Sequence, residues 1–120
     1  MKALDLREFL QLNGGVTLHL NGDIFSPVQG YQVSVKDCYK VLYKRVTDFE
    51  LTGFCINTMY EASDNESGFI GLWIDNGYLY IDVSDYYMDK HTALIEAQKL
   101  NQKAIFDWKN KESIYLEEGK

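Results

Sequence analysis

The chain is poor in the residues that usually announce chemistry. Its 120 residues include one proline, two cysteines and two histidines. His19 and His91 show neither HxH nor HExxH spacing, so a zinc site or a histidine-based catalytic centre has no frame to build on. Cys38 and Cys55 form no CxxC pair, and neither has a sequence neighbour that would activate it as a nucleophile; both read as reduced packing residues. Gly14-Gly15 and Gly68-x-x-Gly71 are not followed by the Lys-Ser/Thr of a phosphate loop. No run approaches the ~18 apolar residues of a membrane span. The opening MKALDLREFLQLNGG carries Asp5, Arg7 and Glu8 where a signal peptide would be apolar, which places the expected site of action in the cytoplasm. No cofactor or metal is implied.

One absence is informative in itself. Between Val46 and Asp89 there is no Lys or Arg, whereas Asp48, Glu50, Glu61, Asp64, Glu66, Asp75, Asp82, Asp85 and Asp89 make that stretch −9. The whole chain is −6, so the remainder is +3. Such a stretch repels nucleic acid and attracts a basic protein surface. Asp82, Asp85 and Asp89 offer the carboxylates a divalent ion would need, but without the ligand spacing of a calcium loop.

The remaining composition, 46% hydrophobic and 14% aromatic, is that of one globular domain over residues 1–120. Leu4, Leu6, Phe9, Leu10 and Leu12 before Asn13-Gly14-Gly15 predict a short N-terminal helix. Val16, Leu18 and Leu20 alternate up to Asn21-Gly22, a hairpin turn, and Pro27 interrupts the returning strand. Strands are expected again from Tyr31 to Val35 and from Tyr39 to Val46. Thr47 to Ala62 reads as a helix with Thr47 as N-cap, Glu50 completing a capping box, and Phe49, Phe54, Ile56, Met59 and Tyr60 as apolar anchors.

GFIGLWID, Asn76-Gly77 and YLYIDVS predict a hairpin that pairs Ile74 with Leu79, Trp73 with Tyr80 and Leu72 with Ile81. Its core face is Ile70, Leu72, Ile74, Leu79, Ile81 and Val83; the other carries Phe69, Trp73, Asp75, Tyr78, Tyr80 and Asp82. Ala93, Ala97, Leu100 and Ala104 draw a small-residue stripe for a further helix, and AIFDW with ESIYL a last hairpin. The expected fold is α+β, a mainly antiparallel sheet of hairpins packed by two or three helices. If helices cover both faces, the hairpin's rings form a second core; if not, they are surface anchors. Tyr86 and Tyr87 are the aromatics expected to be exposed.

Taken together, LDLREFLQLNGGVTL, GYQVSV, GLWIDNGYLYIDVS and NQKAIFDW resemble small accessory proteins of phages and conjugative elements of Gram-positive bacteria, a group that includes inhibitors of type II CRISPR systems. The resemblance spans most of the chain. It implies an anti-CRISPR protein whose partner is the guide-loaded nuclease, with Glu61, Asp64, Glu66, Asp75, Asp82, Asp85 and Asp89 standing in for DNA phosphates and Tyr86 and Tyr87 as anchors. The alternatives are a mobile-element accessory or self-associating module that uses the aromatic hairpin, and a metal-dependent enzyme built on the acidic cluster.

Overall fold

The computed structural model describes residues 3–117. Residues 1–2 and 118–120, and the side chains of Ala3, Leu4 and Asp5, lie outside the described residues. The elements run α1 (Ala3–Asn13), β1 (Gly15–His19), β2 (Ile24–Phe25), β3 (Tyr31–Leu42), α2 (Asp48–Asp64), β4 (Phe69–Asp75), β5 (Tyr78–Tyr87), α3 (Lys90–Lys99), β6 (Ala104–Asp107) and β7 (Glu112–Tyr115). All strand pairs are antiparallel, in one seven-stranded sheet of order β2-β1-β4-β5-β3-β6-β7. This is the α+β fold that the periodicities predict.

Local chemistry explains most boundaries. Gly14, at φ +75°, closes α1 by donating its N–H to Leu10 O at 2.8 Å. The Thr47 hydroxyl accepts from the Glu50 N–H while the Glu50 carboxylate accepts from the Thr47 N–H, a complete capping box at the start of α2. Asn76 and Gly77 both adopt positive φ, and the β4–β5 register is the predicted one.

Four expectations change. The small-residue stripe predicted through Ala93, Ala97, Leu100 and Ala104 stops at Ala97, because α3 ends at Lys99, Leu100 is its exposed C-cap and Ala104 opens β6. Tyr31 to Leu42 is one strand rather than two, because register shifts at Ser34/Lys36 and Asp37/Tyr39 absorb Val35 and Cys38 as bulges; the chain then turns through a short 3-10 segment at Tyr43–Arg45. Leu12 faces solvent while Leu6 and Leu10 are buried. On α2 the expected anchors Phe49, Ile56 and Tyr60 are exposed, and Leu51, Cys55, Thr58 and Ala62 are the buried set.

All three helices lie on one face of the sheet. Ile70, Leu72, Leu79, Ile81 and Val83 pack with Leu6, Leu10, Leu51 and Cys55 beneath α1 and α2. Val33 and Ile105 pack with Ala93 and Ala97 beneath α3, where the two alanines let the helix sit close. Among the described residues no helix covers the opposite face; the sheet curls around it instead. Phe25 on β2 and Trp108 beyond β6 would stand five strand spacings apart, roughly 24 Å in a flat sheet. Their ring centroids are 6.2 Å apart.

Candidate protein-interaction surface

The acids of the central stretch do not form one continuous patch. Asp82 is 3% exposed, inside the curl of the sheet and not on its surface. Asp85 lies on the helix-bearing face and accepts hydrogen bonds from Ser67 Oγ at 3.1 Å and the Gly68 N–H at 3.2 Å, which ties down the loop entering β4. Asp89 caps α3 by accepting from the Thr92 N–H at 2.8 Å, and this bond holds its carboxyl below the usual range. Asp75 is exposed at the Asn76-Gly77 turn. Seven residues of β5 separate that turn from Asp85, roughly 23 Å.

Glu61, Asp64 and Glu66 do come together, at the C-terminal end of α2. Glu61 pairs with Lys36 at 2.8 Å, a bond that holds the ammonium above its usual range. Asp64 and Glu66 are exposed. This end runs against local preference twice. A helix C-terminus carries partial negative charge that favours cations by ~0.3–1 kcal/mol, yet the last turn of α2 holds Glu61 and Asp64 and no base. The chain then leaves through a Schellman turn, with Ser67 N–H to Ala62 O at 2.8 Å and Glu66 N–H to Ser63 O at 3.0 Å. That places Glu66 at φ +57°, a position that favours glycine or asparagine. The end of α3 shows the ordinary solution: Lys99 in its last turn and Asn101 at φ +58°.

Three sets of aromatic residues bear on the faces the sequence proposed. Phe25, Phe69, Tyr86 and Trp108, with His19 at the edge, fill the curl as a second core, with centroid separations from 4.5 to 6.4 Å. Tyr86 is therefore partly buried here, lying over Gly30 and donating its hydroxyl to Gln29 O. Tyr87 points to the other face and packs beside α3. Trp73 and Tyr80 stack at 5.3 Å, and Lys40 lies over Tyr78 and Tyr80 at 4.8 and 5.6 Å. They form the uncovered part of that face, with Trp73 37% exposed.

Beneath the curl lies a polar layer. Gln32 Oε1 accepts from Thr17 Oγ1 at 2.8 Å and from Trp108 Nε1 at 3.2 Å. Ser84 Oγ donates to Asp82 Oδ1 at 2.6 Å. Gly71 makes room for this layer, since a Cβ there would stand 2.7 Å from Asp82 Oδ1. Burial pushes the Asp82 carboxyl up to about 7, with the Ser84 hydroxyl pulling the other way. The two thiols are not activated: burial drives Cys55 up to about 12 and also raises Cys38. Among the described residues, no three His, Cys, Asp or Glu side chains converge as a metal site, and no helix is long and apolar enough to cross a membrane.

Sequence reasoning named Glu61, Asp64 and Glu66 only as three of seven candidate acids, and nothing in the charge run separated them from Asp75, Asp82, Asp85 and Asp89. It missed the solvent-facing positions of Phe49 and Ile56, because the spacing of apolar residues does not say which of two stripes meets the sheet. Comparison with protein-family models, curated proteins and solved structures found no match.

Proposed function

We propose that this chain is a non-enzymatic inhibitor of a type II CRISPR RNA-guided nuclease that binds the guide-loaded enzyme through Glu61, Asp64 and Glu66 and blocks DNA loading. The observation that carries this reading is the end of α2. Two acids sit where a helix prefers bases, and a third occupies a position that favours glycine. Their placement opposes helix stability and suits a cationic partner. A positively charged DNA channel is such a partner, and carboxylates set against it would take the places of phosphates. The resemblance to accessory proteins of phages and conjugative elements supplies the specific target, and with it the cytoplasm of a bacterial host as the place of action. Thiols held in their protonated form, and a described surface on which no three His, Cys, Asp or Glu side chains converge as a metal site, favour binding over thiol or metal-dependent catalysis.

The test is a DNA-cleavage titration with a purified guide-loaded type II nuclease, adding the protein before or after target DNA. Inhibition only on prior addition, weakened and made less salt-dependent by Asp64→Lys with Glu66→Lys, is the expected result. Neither residue holds the fold together, so the variant remains folded. Unchanged inhibition by the variant rejects the acidic end as the contact. No inhibition of several such nucleases rejects the target.

A further inference from the structure

Helix α2 carries two apolar stripes, and the sheet uses only one. Leu51, Cys55, Thr58 and Ala62 are buried, while Phe49, Ile56 and Tyr60 are 90%, 47% and 71% exposed. At about 100° per residue these three fall within roughly 40° of one another, on the side turned away from the sheet, and extend over about 16 Å of helix. Gly53 lies in the same stripe, between Phe49 and Ile56. A Cβ at Gly53 would meet nothing within 4 Å, so packing within the chain does not require glycine there. In mid-helix it lowers stability, and its effect on the surface is a notch where a second backbone can come close.

The charge beside the stripe selects the occupant. Asp48, Glu50, Glu61 and Asp64 lie on α2, which has no Lys or Arg. Asp48 is engaged by Arg7 at 2.8 Å and Glu61 by Lys36; Glu50, whose carboxylate also accepts from the Thr47 N–H, and Asp64 are exposed and meet no base among the described residues. A second copy docked on this stripe would set acid against acid, and an anionic membrane surface would be repelled in the same way. A cationic partner meets both requirements at once.

We propose that Phe49, Gly53, Ile56 and Tyr60 form the docking seam for a lysine- or arginine-rich amphipathic helix of a partner protein. Its apolar residues pack around the Gly53 notch and its basic flanks face Glu50 and Asp64. This rests on reading the chain as a binding protein and is independent of the nuclease as target.

The probe is a fluorescein-labelled synthetic peptide of about 18 residues, long enough to cover the stripe, with leucine on one helical face and lysine on the other. A counterpart with glutamate in place of lysine is the control. Fluorescence anisotropy with the full chain at physiological salt should show saturable binding of the lysine peptide and none of the glutamate peptide. Phe49→Ser and Ile56→Ser should each weaken binding about tenfold or more, as loss of a central apolar anchor does. Gly53→Leu should abolish binding while melting no lower than the wild type, so misfolding cannot account for the loss. Asp75→Asn, at the far end of the hairpin, should change nothing. Binding indifferent to Phe49, Ile56 and Gly53, or no binding of the lysine peptide, overturns the proposal. So does a concentration-dependent mass by light scattering that Ile56→Ser abolishes, which would assign the stripe to a second copy. Peptide binding by a chain that inhibits no nuclease supports the seam and removes the nuclease as its target.

Discussion

Asp82 makes the protein's stability depend on pH in an unusual direction. Its carboxyl is buried within the curl, accepts a bond from Ser84 and is raised from 3.8 to about 7, with Asp37 directly opposite on β3 adding like-charge repulsion. Between these values the unfolded chain has released a proton that the folded chain retains. The unfolded state then binds fewer protons, so stability is greatest below the unfolded value and falls as pH rises toward the folded one. At 1.36 kcal/mol per pH unit the full effect is about 4 kcal/mol, an order-of-magnitude figure. Asp82→Asn keeps the shape and removes the titration. The stability of the variant relative to wild type should therefore rise by about 2–3 kcal/mol between pH 5 and pH 8. Urea denaturation followed by tryptophan fluorescence at a series of pH values measures this, and subtraction cancels the other titrating groups. A difference that stays constant from pH 5 to pH 8 would refute a buried, protonated Asp82.

Three further substitutions probe the fold and its acidic end. Gly71→Ala drives a methyl group against the Asp82 carboxylate and the Gln32 and Ser84 side chains, and should destabilise by about 1–3 kcal/mol in chemical denaturation. Glu66→Gly relieves a positive φ at the end of α2 and should stabilise by about 1 kcal/mol while weakening nuclease inhibition in the cleavage titration. Thr47→Ala removes the hydroxyl half of the capping box and should cost about 1 kcal/mol by thermal melting, with inhibition unchanged.

Turns, caps and pairing were legible in the sequence because their chemistry is local. Asn76-Gly77 set the β4–β5 register, and Thr47 with Glu50 set the start of α2. Ala93 and Ala97 marked the close-packed side of α3. For α2 the same reasoning was right for Phe54 and Met59, which pack half-buried against the core, and wrong for the other three anchors. It followed the larger side chains, whereas the sheet accepted the smaller set of Leu51, Cys55, Thr58 and Ala62 and left Phe49, Ile56 and Tyr60 outside.

The candidate site divides along the same line. Charge clusters in the sequence between Val46 and Asp89 because composition is a property of the chain. Which acids share a surface is decided by topology. Alternation along β5 placed Asp82 inside the curl and Asp85 on the helix-bearing face, while hairpin length carried Asp75 to the opposite end. Only Glu61, Asp64 and Glu66, joined by one helical turn and the loop that ends it, stayed together. By itself the sequence determined the elements, their caps and the sign of the charge, all set by neighbours a few residues apart. The tertiary structure alone decided the curl that buries Asp82 and half-buries Tyr86, and the choice between the two stripes of α2, because both depend on contacts between strands and helices remote in sequence.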